Sequence, residues 1–448
     1  MVQQRDASAF DAPLSRRRFL TRAGGVAASG LAAGPLLAAC GGGGGGGGSA
    51  AAGKSTINYM VVSGSPFSEV VQKMIAPVFT EQTGIKVNIV ELPYEQAFPK
   101  GVLEARNKSG AYDVIQINRP NLAGFVGPKY LMPLDEYVSG DLVADLFPAH
   151  RDFVTFDGKA YAMPHSNDVR ALYYRTDLFQ KAGLQAPQNW QELQAHAKQL
   201  TQGDVYGLLL TGSPKGPGVW TLADFIHQNG GEILDADGQP KVDSPEAIEA
   251  LEFFVGLLRT DKVLPPGTAN YIWADTRTLF PQGKGSMVVE FNDIIPLLDD
   301  PSNSVVAGKY DLALIPGNVK KATGNAGWLV GIPVGCKHPA EAGKLIDFLL
   351  STQAQTEMCV QSGTLSGRKS VVDALIANGQ SGRPKGDPKG KERWEFYKQV
   401  VATTYELPRS PHEPAIETIL GKALSGALSG QTPPADAMKT AAKAIAQL

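Results

Sequence analysis

Three short segments, 55-STINYMVV-62, 85-IKVNIV-90 and 112-YDVIQI-117, decide the fold class of this chain. Each is rich in β-branched residues and is too short for a helix of ordinary length, so each is predicted to be a strand. Between them, residues 66–83 carry apolar side chains at helical spacing and residues 95–108 are predicted to form a second helix. A β-α-β-α-β order favours a parallel sheet with helices on both faces, so we expect an α/β fold.

A second series of strands and helices begins near residue 169. Its predicted strands are 169–174, 206–210, 287–289, 310–315 and 328–334. Its predicted helices are 177–182, 190–202, 220–229 and 245–260, and helices dominate after residue 339. The sequence contains no internal repeat, and the strands are too few for one large sheet. We therefore predict two α/β lobes.

The first 39 residues are predicted to be an export signal and not part of the fold. The segment 15-SRRRFL-20 carries the twin arginines of that export route, and a weakly apolar stretch follows it up to Ala39. The sequence 37-LAAC-40 resembles the lipobox of bacterial lipoproteins, so Cys40 is the predicted lipidation site. A buried helix is disfavoured by the glycines of this stretch, and a membrane span is disfavoured by its shortness. We expect the chain to be exported and to be anchored by the lipid on Cys40 to the periplasmic or extracytoplasmic face of the cell membrane.

Residues 48-GSAAAGKS-55 match the phosphate-loop pattern G-x-x-x-x-G-K-[ST] at every specified position. That pattern works only where a strand leads into the loop and a helix leaves it. Here an unbroken glycine run, residues 41–48, precedes the match, and a predicted strand follows it. Residues 40–54 are therefore interpreted as the lipidated cysteine with a flexible glycine-rich linker, and not as a nucleotide site.

Composition argues against one class of partner and leaves the state of two cysteines open. The chain has 42 Lys and Arg against 44 Asp and Glu, a net charge of −2, and the predicted signal is itself basic. The mild acidity of the remainder argues against a nucleic-acid partner. Apart from Cys40, the cysteines are Cys336 and Cys359. They form either one disulfide or two buried thiols, and both alternatives stay open.

No motif predicts a catalytic or metal site. The six histidines form no H-E-x-x-H or other pair at metal-ligand spacing, and no G-x-S-x-G nucleophile elbow is present. Acidic residues are plentiful, so the sequence alone leaves open a carboxylate pair that cleaves carbohydrate. Such an enzyme would make the export and lobe signals coincidental. We predict that the chain is not an enzyme and that it uses no cofactor or metal.

A series of motifs follows the order found in one known family. They include 81-EQTGIKV-87, 109-SGAYDV-114, 131-LMPLD-135, 157-DGKAYAMP-164, 171-ALYYRTDLF-179, 182-AGLQAPQNWQEL-193, 229-NGG-231, 283-GKGSM-287 and 327-GWLVGIP-333. In this the chain resembles the extracellular solute-binding proteins of carbohydrate ATP-binding-cassette (ABC) importers, the maltose-binding-protein-like group. The match spans about residues 55–435, although Tyr112 and Ser366 stand where the family has proline.

The resemblance implies the type II periplasmic-binding-protein fold: two lobes, each a mostly parallel sheet flanked by helices, joined by hinge strands. The implied first lobe holds residues 55–167 and 314–355, and the second holds residues 168–313 and 356–448. A sugar, from a mono- to an oligosaccharide, would bind in the cleft between the lobes, and hinge closure would present it to a membrane permease. We expect a monomer. Two alternatives stay open: a phosphorylated polyol such as a glycerol-phosphate derivative as ligand, and a membrane sensor as partner.

Candidate ligand contacts come from two arguments. The resemblance implies Gly327, Trp328, Trp273 and Arg368. Ligands of open α/β sheets collect beyond the carboxyl ends of strands, and this rule adds residues that follow predicted strands or open a helix. These are Ser63, Tyr94, Glu95, Asn118, Asn292 and Trp220. Position also adds Asn167 and Asp168, because 165-HSND-168 enters the first predicted hinge crossing, where a buried acid could accept two sugar hydroxyls.

These residue types suit a sugar, because aromatic rings stack on its apolar faces and Asp, Asn and Arg bind its hydroxyls. They include more aromatic and acidic side chains than Lys or Arg, which favours a neutral sugar over a phosphorylated polyol. The alternatives are a core position for Trp328, a surface salt bridge for Arg368, and helix caps or loop positions for the first-lobe residues. Trp190 and Trp394 are predicted to lie in the core.

Overall fold

The computed structural model describes residues 55–63, 66–377, 390–406 and 410–448. The two predicted lobes, residues 55–448, fall within these ranges apart from the gaps at 64–65, 378–389 and 407–409. The predicted export signal, Cys40, the glycine-rich linker and most of the phosphate-loop match lie outside the described residues.

The strands lie in two groups along the chain, with the second group beginning at residue 170. They are Thr56–Val62 (β1), Lys86–Leu92 (β2), Val114–Asn118 (β3), Thr155–Phe156 (β4), Lys159–Ala160 (β5), Met163–Pro164 (β6), Arg170–Arg175 (β7), Met287–Phe291 (β8), Tyr310–Ala313 (β9), Thr323–Gly324 (β10), Trp328–Gly331 (β11) and Thr404–Tyr405 (β12).

Helices connect the strands and cover the sheets. The α-helices are Pro66–Val70, Ala76–Thr83, Tyr94–Arg106, Leu122–Val126, Gly140–Ala144, Pro148–Val154, Thr176–Ala182, Trp190–Leu200, Pro217–Gln228, Pro245–Val255, Trp273–Leu279, Ile295–Leu298, Pro339–Leu349, Thr352–Ser362, Lys369–Ala377, Gly390–Val401, Glu413–Ser429 and Pro434–Ile445. Single turns of π-helix cover Val71–Ile75 and Gly256–Thr260, and 3₁₀ turns cover Arg119–Asn121, Pro266–Asn270 and Asn292–Ile294.

The first sheet has the strand order β2-β1-β3-β11-β6. β1 pairs in parallel with β2 and β3, as the β-α-β-α-β pattern predicts, and β11 runs antiparallel between β3 and β6. Most of β1 is buried on both faces because helices lie on both sides of the sheet. The same core includes apolar residues of helices Pro339–Leu349 and Thr352–Ser362, which are distant in sequence.

The second sheet has the order β8-β7-β9, and β7 runs antiparallel to both neighbours. Residues 206–209 lie beside β8 in parallel through two isolated bridges, where a full strand was expected at 206–210. A mostly parallel sheet therefore describes the first sheet better than the second. The difference arises at β7. This strand enters the second sheet directly from the crossing that leaves the first sheet, so it runs in the direction opposite to β8 and β9.

Two connections cross between the sheets side by side. Residues 165–169 link β6 to β7, and residues 314–327 link β9 to β11. They are held together at Asp168 and Ala326, whose backbone N–H and C=O groups exchange hydrogen bonds of 3.3 and 3.1 Å. These two crossings join the strands of the two sheets, so a rotation of one sheet against the other would bend them.

Cys336 and Cys359, whose pairing the sequence left undecided, are both free thiols. Cys359 is buried, and the Cys336 thiol donates a hydrogen bond of 3.3 Å to Asp113 Oδ1. Burial, as the main cause, raises the pKa of both thiols, to about 12 for Cys336. They are therefore unreactive thiols at neutral pH.

Candidate ligand-binding cleft

A cavity of about 220 Å³ lies where the two sheets face each other across the crossings. The first-sheet side contributes Val62, Ser63, Tyr94, Asn118, Gly327 and Trp328. The second-sheet side contributes Trp220, Trp273, Arg277, Phe291 and Asp293, and the crossings contribute Asp168 and Ala326. Each wall therefore belongs to a different sheet.

The first wall is built at the carboxyl ends of parallel strands, where ligands of such sheets bind. Ser63 directly follows β1, and Asn118 ends β3. The amide of Asn118 donates a hydrogen bond of 2.6 Å to the Tyr94 hydroxyl. The Tyr94 ring meets Trp328 edge to face, with 6.1 Å between ring centroids and 84° between planes. This contact fixes two aromatic surfaces at one edge of the cavity.

Trp328 is placed by the glycine before it. Gly327 has φ +128°, and a Cβ there would lie 2.5 Å from the Ser166 carbonyl oxygen of the other crossing. Only glycine fits this conformation and this close approach. The backbone N–H of Trp328 donates a hydrogen bond of 3.1 Å to the Ser166 hydroxyl, which ties the wall to the crossing.

The second wall is a cluster of aromatic side chains. Trp220 lies on the helix Pro217–Gln228, Trp273 opens the helix Trp273–Leu279, and Phe291 ends β8. Trp273 and Phe291 meet at 5.6 Å and 68°. The Trp273 indole N–H is buried and has no hydrogen-bond partner among the described residues. The wall thus offers flat apolar surface, and it contains one buried donor, the Trp273 indole N–H, without an acceptor among the described residues.

Arg277 lies one helical turn after Trp273 and binds two carboxylates. It donates hydrogen bonds of 2.6 and 3.2 Å to Asp293 and lies 3.3 Å from the fully buried Glu290. Burial alone would lower the pKa of Arg277, but the charges of Asp293 and Glu290 outweigh it and raise the pKa. The guanidinium is therefore held rigidly at the cavity surface as a cation.

Asp168 is the acid that the crossings present to the cavity. Its Oδ2 lies 3.4 Å from the Ser166 hydroxyl, while its Oδ1 has no partner within the described ranges. Burial, with a smaller effect of Asp293, raises the pKa of Asp168 from 3.8 to about 7, against the opposing effects of Arg277 and Ser166. Asp168 Oδ1 is thus an acceptor without a partner among the described residues, on a carboxyl group close to its midpoint of ionisation at neutral pH.

The site holds more carboxyl groups than cations among its described residues. Asp168, Asp293 and Glu290 lie around Arg277, which is the one cation among the described residues that line the cavity. Three carboxyl groups around one guanidinium disfavour an anionic ligand.

The predicted contacts divide into two sets. Those that line the cavity are Ser63, Tyr94, Asn118, Asp168, Trp220, Trp273, Gly327 and Trp328. Asn167, Asn292 and Arg368 are buried elsewhere. Glu95 lies in the helix that begins at Tyr94, and its side chain is outside the described part of the structure.

Two of the residues outside the cavity, Asn167 and Asn292, tie the first crossing to residues 363–365. Asn167 pairs through its backbone with Leu365, by bonds of 2.7 and 3.1 Å. Asn292 accepts a hydrogen bond of 2.9 Å from the Val169 N–H and donates one of 2.7 Å to the Gly363 carbonyl. Their position differs from the expectation that they face a ligand.

Arg368 makes a salt bridge of 2.9 Å to Asp145 and donates to the Leu350 carbonyl. The alternative considered for it was a surface salt bridge, but this residue is buried. Arg277, Asp293 and Phe291 line the cavity but were not selected from the sequence. The available signal was their position: Phe291 and Asp293 flank Asn292, and Arg277 follows Trp273 at i+4.

No group of three or more His, Cys, Asp or Glu among the described residues is arranged to hold a metal ion. No helix in that part of the chain combines the length and apolar character that crossing a membrane requires.

Comparison with known proteins gives a consistent picture. The family model for bacterial extracellular solute-binding protein matches residues 58–356. The mannitol-binding protein of Pseudomonas aeruginosa is 27% identical over 361 residues, covering 76% of this chain and 81% of its own. The maltose-bound structure of T. maritima MalE3 aligns with a TM-score of 0.78 at 27% identity, over 87% of this chain and 99% of that one. An ABC transporter solute-binding protein from Agrobacterium radiobacter K84, in complex with ribitol, aligns with a TM-score of 0.77 at 26% identity, over 88% and 98%.

These alignments extend over both sheets and confirm the predicted two-lobe α/β fold.

Proposed function

The chain belongs to the bacterial extracellular solute-binding proteins, and from this premise we propose that it is the substrate-binding component of an ABC importer for a small neutral sugar or sugar alcohol. One observation carries the choice of ligand. The cavity combines aromatic walls from both sheets with two lining residues that each carry a buried polar atom without a partner among the described residues: the acceptor Asp168 Oδ1 and the donor Trp273 Nε1–H. A hydroxyl group both donates and accepts, so a polyhydroxylated ligand satisfies both atoms while its C–H faces lie on the rings.

The size of the cavity favours a small ligand. Sites for drug-sized ligands span about 300–1,000 Å³, and this one has about 220 Å³. One sugar ring, or an open-chain polyol of similar size, suits that volume better than an oligosaccharide does. The ribitol and mannitol of the compared proteins belong to this size class.

The charge of the cavity supports a neutral ligand over the main alternative, a phosphorylated polyol. A phosphorylated polyol carries about −1.5 to −2 at pH 7, and it would face Asp168 and Asp293 with only Arg277 as a counter-charge. Repulsion in a partly desolvated cleft then opposes binding. A membrane sensor as the partner, in place of a permease, would use the same cleft and the same ligand.

The proposed mechanism is closure of two lobes on the ligand without any chemical step. The lobes are residues 55–167 with 314–355, and residues 168–313 with 356–448; the two sheets and their separate cores support this division. A ligand that contacts both walls stabilises the closed state, which the permease then recognises. The export signal and the lipid on Cys40 would hold this monomeric protein beside its permease.

A thermal-shift screen tests the proposal. A form that begins at residue 41 is heated with D-mannitol, ribitol, D-tagatose, maltose or glycerol phosphate. A ligand at 100 times its Kd stabilises the folded state by about 2.7 kcal/mol, so the melting temperature rises measurably. We expect the rise with a small neutral polyol or sugar, and its loss in Trp273→Ala but not in the neighbouring, exposed Ile272→Ala. A rise with glycerol phosphate alone would contradict the proposal.

A further inference from the structure

A buried ion pair lies behind the second wall of the cavity. Arg170 on β7 and Asp224 on the helix Pro217–Gln228 are 2.7 Å apart, and their side chains are only 2% and 5% exposed. Neither residue lines the cavity, and neither was singled out in the sequence. The pair therefore requires an explanation other than direct contact with a ligand.

Arg170 contacts two of the rings that line the cavity. Its Nη2 donates a hydrogen bond of 3.0 Å to the Trp220 carbonyl. The centre of its guanidinium lies 5.7 Å from the Trp220 ring centroid and 5.6 Å from that of Phe291, within the range of cation–π attraction. One cation thus holds both rings from the side away from the cavity.

Asp224 ties the same helix to the second crossing. Its Oδ1 accepts hydrogen bonds of 2.8 Å from the Gly324 N–H and 2.9 Å from the Tyr405 hydroxyl. Gly324 in turn lies directly against Trp220, since a Cβ at position 324 would come within 2.7 Å of its indole ring. The position of Trp220 is therefore set jointly by Arg170, Asp224 and the crossing.

Stability alone does not account for such a pair. Desolvation of two buried charges offsets their attraction, and replacing both partners by uncharged groups of similar size is often neutral or stabilising. Burial raises the pKa of Asp224, with Arg170 as the main opposing effect, in agreement with this cost. A buried pair with several directional contacts can instead select one arrangement of its neighbours.

We propose that Arg170 and Asp224 form a positioning pair that holds Trp220 and Phe291 in the orientation in which they meet the ligand. The part that concerns ligand affinity rests on the proposed function. The part that concerns the orientation of Trp220 does not, and it can be tested without a ligand.

The test uses the double variant Arg170→Met/Asp224→Asn. It removes both charges together, and asparagine keeps an acceptor for Gly324 and Tyr405. Arg170→Met alone would leave a buried unpaired carboxylate and is expected to fold poorly. The matched control is Arg175→Met/Asp177→Asn, which removes an ion pair of 2.6 Å at the end of the same strand, away from the cavity.

The readout is ¹⁹F NMR of protein labelled with 5-fluorotryptophan, which gives one resonance for each of the 5 tryptophans. Trp220→Phe assigns the Trp220 signal. We expect this signal to broaden or split in the double variant because the indole samples more than one orientation. The signals of Trp190 and Trp394, which lie in other cores, should stay narrow, and the control variant should leave all signals narrow. A Trp220 signal as narrow as in the unmodified protein would overturn the proposal.

Affinity and stability give a second, independent measurement. With the ligand that stabilises the unmodified protein in the thermal-shift panel, the double variant should bind about tenfold or more weakly. Its melting temperature without ligand should stay within about 4 °C, since 1 kcal/mol corresponds to about 2–4 °C in a domain of this kind. Equal affinity would refute the ligand part, and a large loss of melting temperature with narrow Trp220 signals would show a purely structural pair. If no sugar or polyol binds the unmodified protein, the proposed function fails while the ¹⁹F result still decides the positioning.

Discussion

Asp168→Asn is expected to change stability and ligand binding in opposite directions. In the ligand-free protein, burial raises the pKa of Asp168 from 3.8 to about 7. The folded state therefore retains a proton that the unfolded chain releases, and stability contributed by this group is present below pH 3.8 and lost as the pH rises to 7. A shift of about three pKa units corresponds to about 4 kcal/mol. Because the side chain is partly exposed, we expect ionisation of Asp168 to lower the free energy of unfolding by about 2–3 kcal/mol above pH 7, and Asp168→Asn to restore that amount.

In the proposed complex, the same carboxylate accepts a hydrogen bond from a ligand hydroxyl. A hydrogen bond to a charged group contributes about 1.5–3 kcal/mol, so its loss should weaken binding about 10- to 200-fold. A ligand hydroxyl favours the ionised form. Affinity of the unmodified protein should therefore rise with pH up to about 7, by at most tenfold per unit, and level off above it. The asparagine variant should show no such dependence.

Calorimetric titration between pH 5 and 8.5 and thermal melting at pH 8 measure the two effects. The control is Asp204→Asn, a surface aspartate paired with Lys284, which should change neither. At pH 8 the Asp168→Asn protein without ligand should melt at a higher temperature than the unmodified protein. Lower stability at pH 8 together with unchanged affinity would refute the assignment of Asp168 as an acceptor kept free for the ligand.

Three further substitutions have defined outcomes. Trp328→Ala removes one aromatic wall and should weaken ligand binding by about 2 kcal/mol or more, measured by calorimetry; an unchanged Kd would exclude stacking there. Burial, together with Glu417, raises the pKa of Glu413 from 4.5 to about 8, so stability is lost as the pH rises from 4.5 through 8. Glu413→Gln should then stabilise by about 3 kcal/mol in urea unfolding at pH 8.5 and have little effect at pH 4, and an equal effect at both values would contradict this cause. Gly327→Ala should destabilise by about 1–3 kcal/mol because of the positive φ and the close Ser166 carbonyl, and a neutral result in the same assay would show that the crossing can adapt.

Local sequence patterns predicted the order of elements well because strands and helices depend on nearby residues. The first three strands lie within a few residues of their predicted positions, and Trp328 opens β11 as the motif 327-GWLVGIP-333 suggested. Pairing was less accessible, since the antiparallel placement of β7 depends on which sheet the chain has just left.

Within the candidate site, local sequence likewise did not determine which side chains face the cavity. Asn292 was selected from the sequence because it follows a predicted strand, but β8 ends at Phe291 and the chain enters a 3₁₀ turn at Asn292–Ile294, so neighbouring side chains leave the backbone in different directions. Phe291 and Asp293 line the cavity, while Asn292 between them turns to Val169 and Gly363. The family resemblance selected Arg368 as a ligand contact, but it does not show that the Arg368 guanidinium forms a salt bridge with Asp145.

The most direct test of the account is ligand addition to the protein labelled with 5-fluorotryptophan. Trp220, Trp273 and Trp328 line the cavity, whereas Trp190 and Trp394 lie in other cores. Titration with D-mannitol, or with the panel member that gives the largest thermal shift, should move the first three resonances with one common Kd and leave the other two in place. Binding detected by calorimetry with no change at those three signals would contradict a ligand site between the two sheets.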